Sequence, residues 1–133
     1  MRAFASLGVI ALAACQPHPA PEINFAPGTS ITVGQNYQAA YAKALEFAQS
    51  CYRDPETHAV NAQLDTDRRL GEITVAAKSS QGPSPVLAVS IAYRDDRSSS
   101  ITSRFLDTAW ASHGRSFEAA SMGASAACQG APF

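Results

Sequence analysis

The chain has 133 residues, 46% of them apolar and 16% charged, with a formal net charge of −1. That composition supports one folded domain, and the absence of any basic run excludes a nucleic-acid face, which needs concentrated cations against phosphate. No apolar run reaches the roughly 18 residues that a transmembrane helix requires. Aromatic residues are only 8%, so a thin core of small side chains is expected.

Residues 1–14 read as a signal peptide, with Arg2 at a positive start and an apolar stretch from Phe4 to Ala14. Leu12-Ala13-Ala14-Cys15 resembles the lipobox of bacterial lipoproteins. The resemblance implies cleavage before Cys15, diacylglycerol on its thiol and acylation of the new N-terminus, so that membrane lipid is the first partner. A plain signal cut near Ala11-Leu12-Ala13 would instead leave Cys15, Cys51 and Cys128 in an oxidising compartment with one thiol unmatched. Lipidation of Cys15 leaves Cys51 and Cys128 as a pair for a disulfide. Gln16, in place of Asp, is similar to the outer-membrane pattern of the enterobacterial sorting rule. The expected location is therefore the outer membrane, with the domain facing the periplasm.

Residues 15–33 form the anchor and its tether. Pro17, Pro19, Pro21 and Pro27 favour extended chain, which at about 3.1 Å per residue reaches roughly 40 Å. His18 is a solvated linker residue on this reading, and Ser30 to Val33 a short extended entry to the domain.

Residues 34–133 are expected to fold as one α+β domain. From Gln35 to Arg53 the residues Tyr37, Ala40, Tyr41, Ala44, Leu45, Ala48, Cys51 and Tyr52 recur at helical spacing, with Gly34 or Asn36 as cap and Asp54-Pro55 as stop. The period then changes to two. Val60 to Leu64, Ile73 to Ala77 and Leu87 to Tyr93 alternate clearly, and Ile101 to Phe105 weakly, giving a three- to four-stranded antiparallel meander. Its links are Asp65 to Arg69, Ser79 to Pro85, and Asp95 to Ser99. Asp107 can cap a last helical region carrying Leu106, Trp110, His113, Phe117, Ala120, Ala124 and Cys128. Gly114 and Gly123 interrupt it, so one kinked helix or two short ones both fit. Both helices are expected on the sheet's apolar face.

The segments Leu12 to Cys15, Tyr37-Gln38-Ala39-Ala40-Tyr41, Cys51-Tyr52, Gly71-Glu72-Ile73 and Cys128 together resemble a group of small uncharacterised proteobacterial lipoproteins. The resemblance implies a tethered, disulfide-linked α-β-meander-α domain and no particular activity. The element order is also similar to that of cystatin-like inhibitors, whose Q-x-V-x-G binding loop is missing here.

No residue set in the chain spells out a reaction. His18, His58 and His113 contain no pair at metal-ligand spacing, so no metal and no cofactor is expected. Asp65-Thr66-Asp67 lacks the Gly and distant Glu of a calcium loop and reads as a solvated turn. There is no G-x-S-x-G stretch, and His113 falls on an apolar stripe, so no catalytic residue is assigned. Asp95 and Asp96 lie in a turn, and Gly82-Pro83-Ser84-Pro85 has no Lys or helix behind it to hold phosphate. Trp110, Phe105, Phe117, Tyr93 and Tyr52 are expected on one side, as core. The expectation is an envelope lipoprotein acting through contacts with another envelope protein. A small-ligand binding module, using the polar sheet face or the gap between sheet and helices, comes second; a small hydrolase comes third.

Overall fold

The alternating runs between His58 and Phe105 pair into one antiparallel sheet, and the helical runs on either side of them cover a single face of it. The computed structural model describes residues 28–124, 126 and 128. The sheet has five strands: β1 (Ser30–Val33), β2 (His58–Asp65), β3 (Leu70–Ser79), β4 (Gly82–Asp95) and β5 (Ser98–Phe105), in the spatial order β1-β5-β4-β3-β2. Helix α1 spans Tyr37–Cys51, and a 3-10 turn at Thr108–Trp110 leads into α2, Ala111–Ser121. The fold is α+β, with five strands where three or four were expected, and a strand, not a helix, comes first. Cys15 and the chain before Gly28 lie outside the described residues.

The additional strand is β1. Four residues are too few for a period to show, and Ser30–Val33 read as part of the tether. Pairing decides the matter: Ile31 lies opposite Ile101 and Val33 opposite Ser99. The domain's sheet therefore begins at Ser30.

Strand β4 is also longer than its alternation suggested, because it takes in Gly82-Pro83-Ser84-Pro85. Pro83 faces Lys78 and Pro85 faces Ala76 on β3, whereas β5 ends opposite Leu87. This end of β4 thus has a strand on one side only, where residues without an N–H are tolerated. The register shifts between Val75 and Ala76, with Val86 as the extra residue of a bulge.

On the helix-facing side, Gly71, Ile91 and Ile101 form one row, Ile73, Val89 and Ser103 the next, and Val75 and Leu87 a third. All of these residues are buried. The opposite side carries rows such as Gln63, Glu72, Ser90, Thr102 and Ser30. That strict division is what a sheet covered on one face requires.

Asn36 caps α1, its side-chain oxygen accepting from Ala39 N at 2.8 Å. Ala40, Ala44 and Ala48 are fully buried along one stripe of the helix, and such small side chains allow close approach. Tyr41 packs against Gly71, where a Cβ would stand 2.5 Å from the ring. Helix α2 seats Gly114 on Ser103 of β5, where a Cβ would stand 3.1 Å away. Gly114 is therefore a packing contact within α2 and not a break. Gly71 and Ser103 belong to the same sheet face, so both helices share it.

The C-terminal helix is a single short α-helix entered through a 3-10 turn. Asp107 caps that turn, accepting from Ala109 N at 2.8 Å. Gly123, at φ +83°, ends the helix in the left-handed region that glycine favours. Leu106, expected on the apolar stripe, is 43% exposed because it precedes the turn. Cys128 lies beyond the helix.

Candidate functional site

Two features stand out: a groove beside a disulfide, and a buried aromatic cluster holding two histidines. Cys51, the last residue of α1, is bonded to Cys128 across 77 residues, with Sγ atoms 2.03 Å apart. The bridge draws the C-terminal segment against the final turns of α1. Between them lies an open groove of about 370 Å³, lined by Lys43, Glu46, Phe47, Ala120, Ala126 and the disulfide, among others. Its lining mixes apolar side chains with Ser50 and one charge of each sign, Lys43 and Glu46. This is the gap between α1 and the end of α2 with the segment that follows it, not the polar sheet face or the sheet–helix gap that the sequence suggested for a ligand.

The second feature sits where the end of α1, the start of β2 and α2 meet. Tyr52, the residue after α1, shares a hydrogen bond with His113 Nδ1 at 2.5 Å. The Tyr52 ring is stacked on Phe117, with centroids 6.1 Å apart, and lies 5.4 Å from the His58 ring. Trp110 closes the cluster, 4.6 Å from His113 and 6.3 Å from His58. All five side chains are buried.

The sequence took His58 and His113 one at a time, and neither spacing nor motif related them. The fold brings both against Tyr52. Their meeting depends on how β2 and α2 dock beside the end of α1, which no local pattern encodes. Of the five aromatic residues expected together, Tyr52, Trp110 and Phe117 do gather here. Tyr93 instead meets Tyr37 edge-on at 6.0 Å and carries the Arg69 guanidinium over its face at 4.4 Å.

Burial sets the electrostatics of this cluster. It pushes the Tyr52 hydroxyl well above the usual phenol range, so Tyr52 stays protonated. Burial also lowers the pKa of His58, opposed by the nearby Asp54 carboxylate. His58 Nδ1 bonds the Thr57 hydroxyl at 2.9 Å, while its Nε2 is buried without a hydrogen-bond partner. A neutral imidazole tolerates this better than a cation does.

The pH consequence follows from the sign of the shift. With the folded value below the unfolded value near 6.5, the unfolded chain takes up the proton first. The His58 contribution is complete above that unfolded value and is lost as pH falls through the lower folded one. Urea unfolding at about pH 7 and about pH 5 should show a lower midpoint at the acid end, and His58→Gln should flatten the difference. Equal slopes for the two proteins would contradict this assignment.

Among the described residues no group of three or more His, Cys, Asp or Glu side chains stands close enough to hold a metal ion. Asp65 and Asp95 act as turn caps. Asp65 accepts from Asp67 N and Arg68 N, at 3.1 and 3.0 Å, and Asp95 accepts from Arg97 N at 2.8 Å. That bond holds the Asp95 carboxyl below its ordinary range. Neither histidine of the aromatic cluster lines the groove.

No protein-family profile matches the chain, and no curated protein sequence matches it. No helix among the described residues is long and apolar enough to cross a membrane.

Proposed function

We propose that the chain is a lipid-anchored bacterial envelope protein whose disulfide-stapled domain works through protein contacts and not through catalysis. The anchor is Cys15, in the Leu12 to Cys15 lipobox, followed by a proline-rich tether. The observation that supports this reading best is the partnering of cysteines. Cys51 is bonded to Cys128, which leaves Cys15 as the odd thiol that acylation would consume. An oxidising compartment suits such a bridge. Two or three acyl chains would hold the protein stably, since each buried CH₂ adds about 0.8 kcal/mol and one chain alone is marginal.

Labelling with radioactive palmitate tests the anchor. The wild-type chain should incorporate label and partition with membranes, whereas Cys15→Ser should do neither. Equal incorporation by the two would end the lipoprotein reading.

The groove beside the disulfide favours a second reading, a module for a small ligand. A lining of Phe47, Ala120 and Ala126 together with Lys43, Glu46 and Ser50 suits a small molecule with both apolar and polar parts.

A further inference from the structure

Strand β2 is the edge of the sheet farthest from the chain's entry at β1, and its backbone polarity can be worked out. Lys78 N donates to Thr57 O at 2.9 Å. Thr57 and Lys78 are thus a hydrogen-bonded pair, and in an antiparallel ladder such pairs recur every second residue. Along the unbroken β2–β3 register, Ala59, Asn61, Gln63 and Asp65 turn their N–H and C=O groups towards β3. His58, Val60, Ala62 and Leu64 turn theirs outwards. The outward N–H of His58 is already taken by Asp54 O at 3.0 Å. Among the described residues, that leaves Val60, Ala62 and Leu64 as the open edge.

This edge carries none of the usual protections against strand addition. It contains no Pro, Lys or other charged residue between His58 and Leu64, and its pairing to β3 shows no bulge. The opposite edge, β1, is blunted by its length of four residues. Leu64, a large hydrophobic residue, is 38% exposed at the helix-facing side of the open edge.

We infer that two copies of this chain pair through β2 about a twofold axis at Ala62, making one continuous sheet of both domains. The register follows from the free groups. With Ala62 opposite its own copy, Val60 meets Leu64 of the other chain and Leu64 meets Val60. The three outward-facing residues of each strand then form a ladder of about six hydrogen bonds. A register centred on Asn61 would need the His58 N–H that Asp54 holds. With the centre at Ala62, Asn61 lies across from Gln63, no charge faces a like charge, and each exposed Leu64 gains an apolar neighbour. An isologous, self-complementary contact of this kind closes at two copies. The inference gives the protein-contact reading a partner but does not depend on the anchor, because the chain enters the sheet at its other edge.

The test uses the full chain with Cys15→Ser, which removes both the acylation site and a free thiol. Sedimentation equilibrium should show a monomer–dimer equilibrium. Ala62→Pro removes the two central donors without touching a bond to β3, and should weaken association on the order of tenfold or more. Leu64→Lys, which needs no backbone change, should weaken it as well and serves if the proline variant does not fold. Under mild oxidation Ala62→Cys should cross-link two chains efficiently and Asn61→Cys should not, because only the former faces its own copy at about 5.5 Å between Cα atoms. A chain that stays monomeric throughout, its edge left to water or to another protein's strand, overturns the inference. So does a dimer that Leu64→Lys leaves intact, or one cross-linked better through Asn61. Palmitate labelling is unaffected by any of these results, so the anchor and the edge stand or fall separately.

Discussion

Replacing Cys51 and Cys128 together by Ser is expected to lower the unfolding free energy by about 4.5 kcal/mol. The figure is the loop-closure entropy that a bond spanning 77 residues removes from the unfolded chain. It is large against the roughly 5–15 kcal/mol that separates folded from unfolded states in an ordinary domain. The sequence explains why so much rests on it. α1 turns alanines 40, 44 and 48 inwards, and such side chains bury little apolar area per residue. The bridge also joins the end of α1 to a segment beyond α2. Without it, only the backbone leading out of α2 ties that segment to the rest, and the wall of the groove is no longer pinned to α1. Urea unfolding of the oxidised and the reduced wild-type chain measures the same quantity without mutation. Cys51→Ser alone should cost as much as the double replacement, because either one abolishes the bond. A loss below about 1 kcal/mol would mean that the unfolded chain is already compact around these residues.

The parts of this fold visible in the sequence were those governed by periodicity. Helix α1 shows its apolar stripe over four turns, with Gly34 or Asn36 as its cap, and β3 up to Val75 and the later part of β4 alternate. What did not show depended on contacts made at a distance. Ser30–Val33 is a strand because Ile101 lies beside it, and four residues hold no period of their own. Pro83 and Pro85 look like turn residues until β5 is seen to stop short of them. Leu106 has the spacing of a core residue, but the Asp107 cap redirects the chain and leaves it in water. The same limit hid the aromatic cluster. Tyr52, His58 and His113 come from three segments, and only the docking of β2 and α2 beside the end of α1 brings the two imidazole rings against the Tyr52 ring. The open edge of β2 was beyond local reading too, since its exposure depends on the order of all five strands.

Phe117→Ala is expected to cost about 3–5 kcal/mol, the range for removing a fully enclosed aromatic ring. Phe117 is fully buried, and its ring stands between the two helices. It stacks on Tyr52 at an interplanar angle of 5° and meets Phe47 edge-on at 5.0 Å. Both contacts are in geometries that add to simple burial. Truncation leaves a cavity among groups held by their own bonds, so collapse is only partial. The Tyr52 hydroxyl bonded to His113 then loses the ring that screens it from water. Phe117→Leu keeps most of the volume and should cost under about 1.5 kcal/mol. Leu106→Ala supplies the contrast, because Leu106 shares the helical spacing of Phe117 yet is 43% exposed. It should change stability by no more than about 0.5 kcal/mol. Unfolding curves for the three variants separate spacing from packing directly. If Leu106→Ala proves as costly as Phe117→Ala, the stripe read from sequence continues through residue 106, and the turn at Thr108–Trp110 does not place α2 as described.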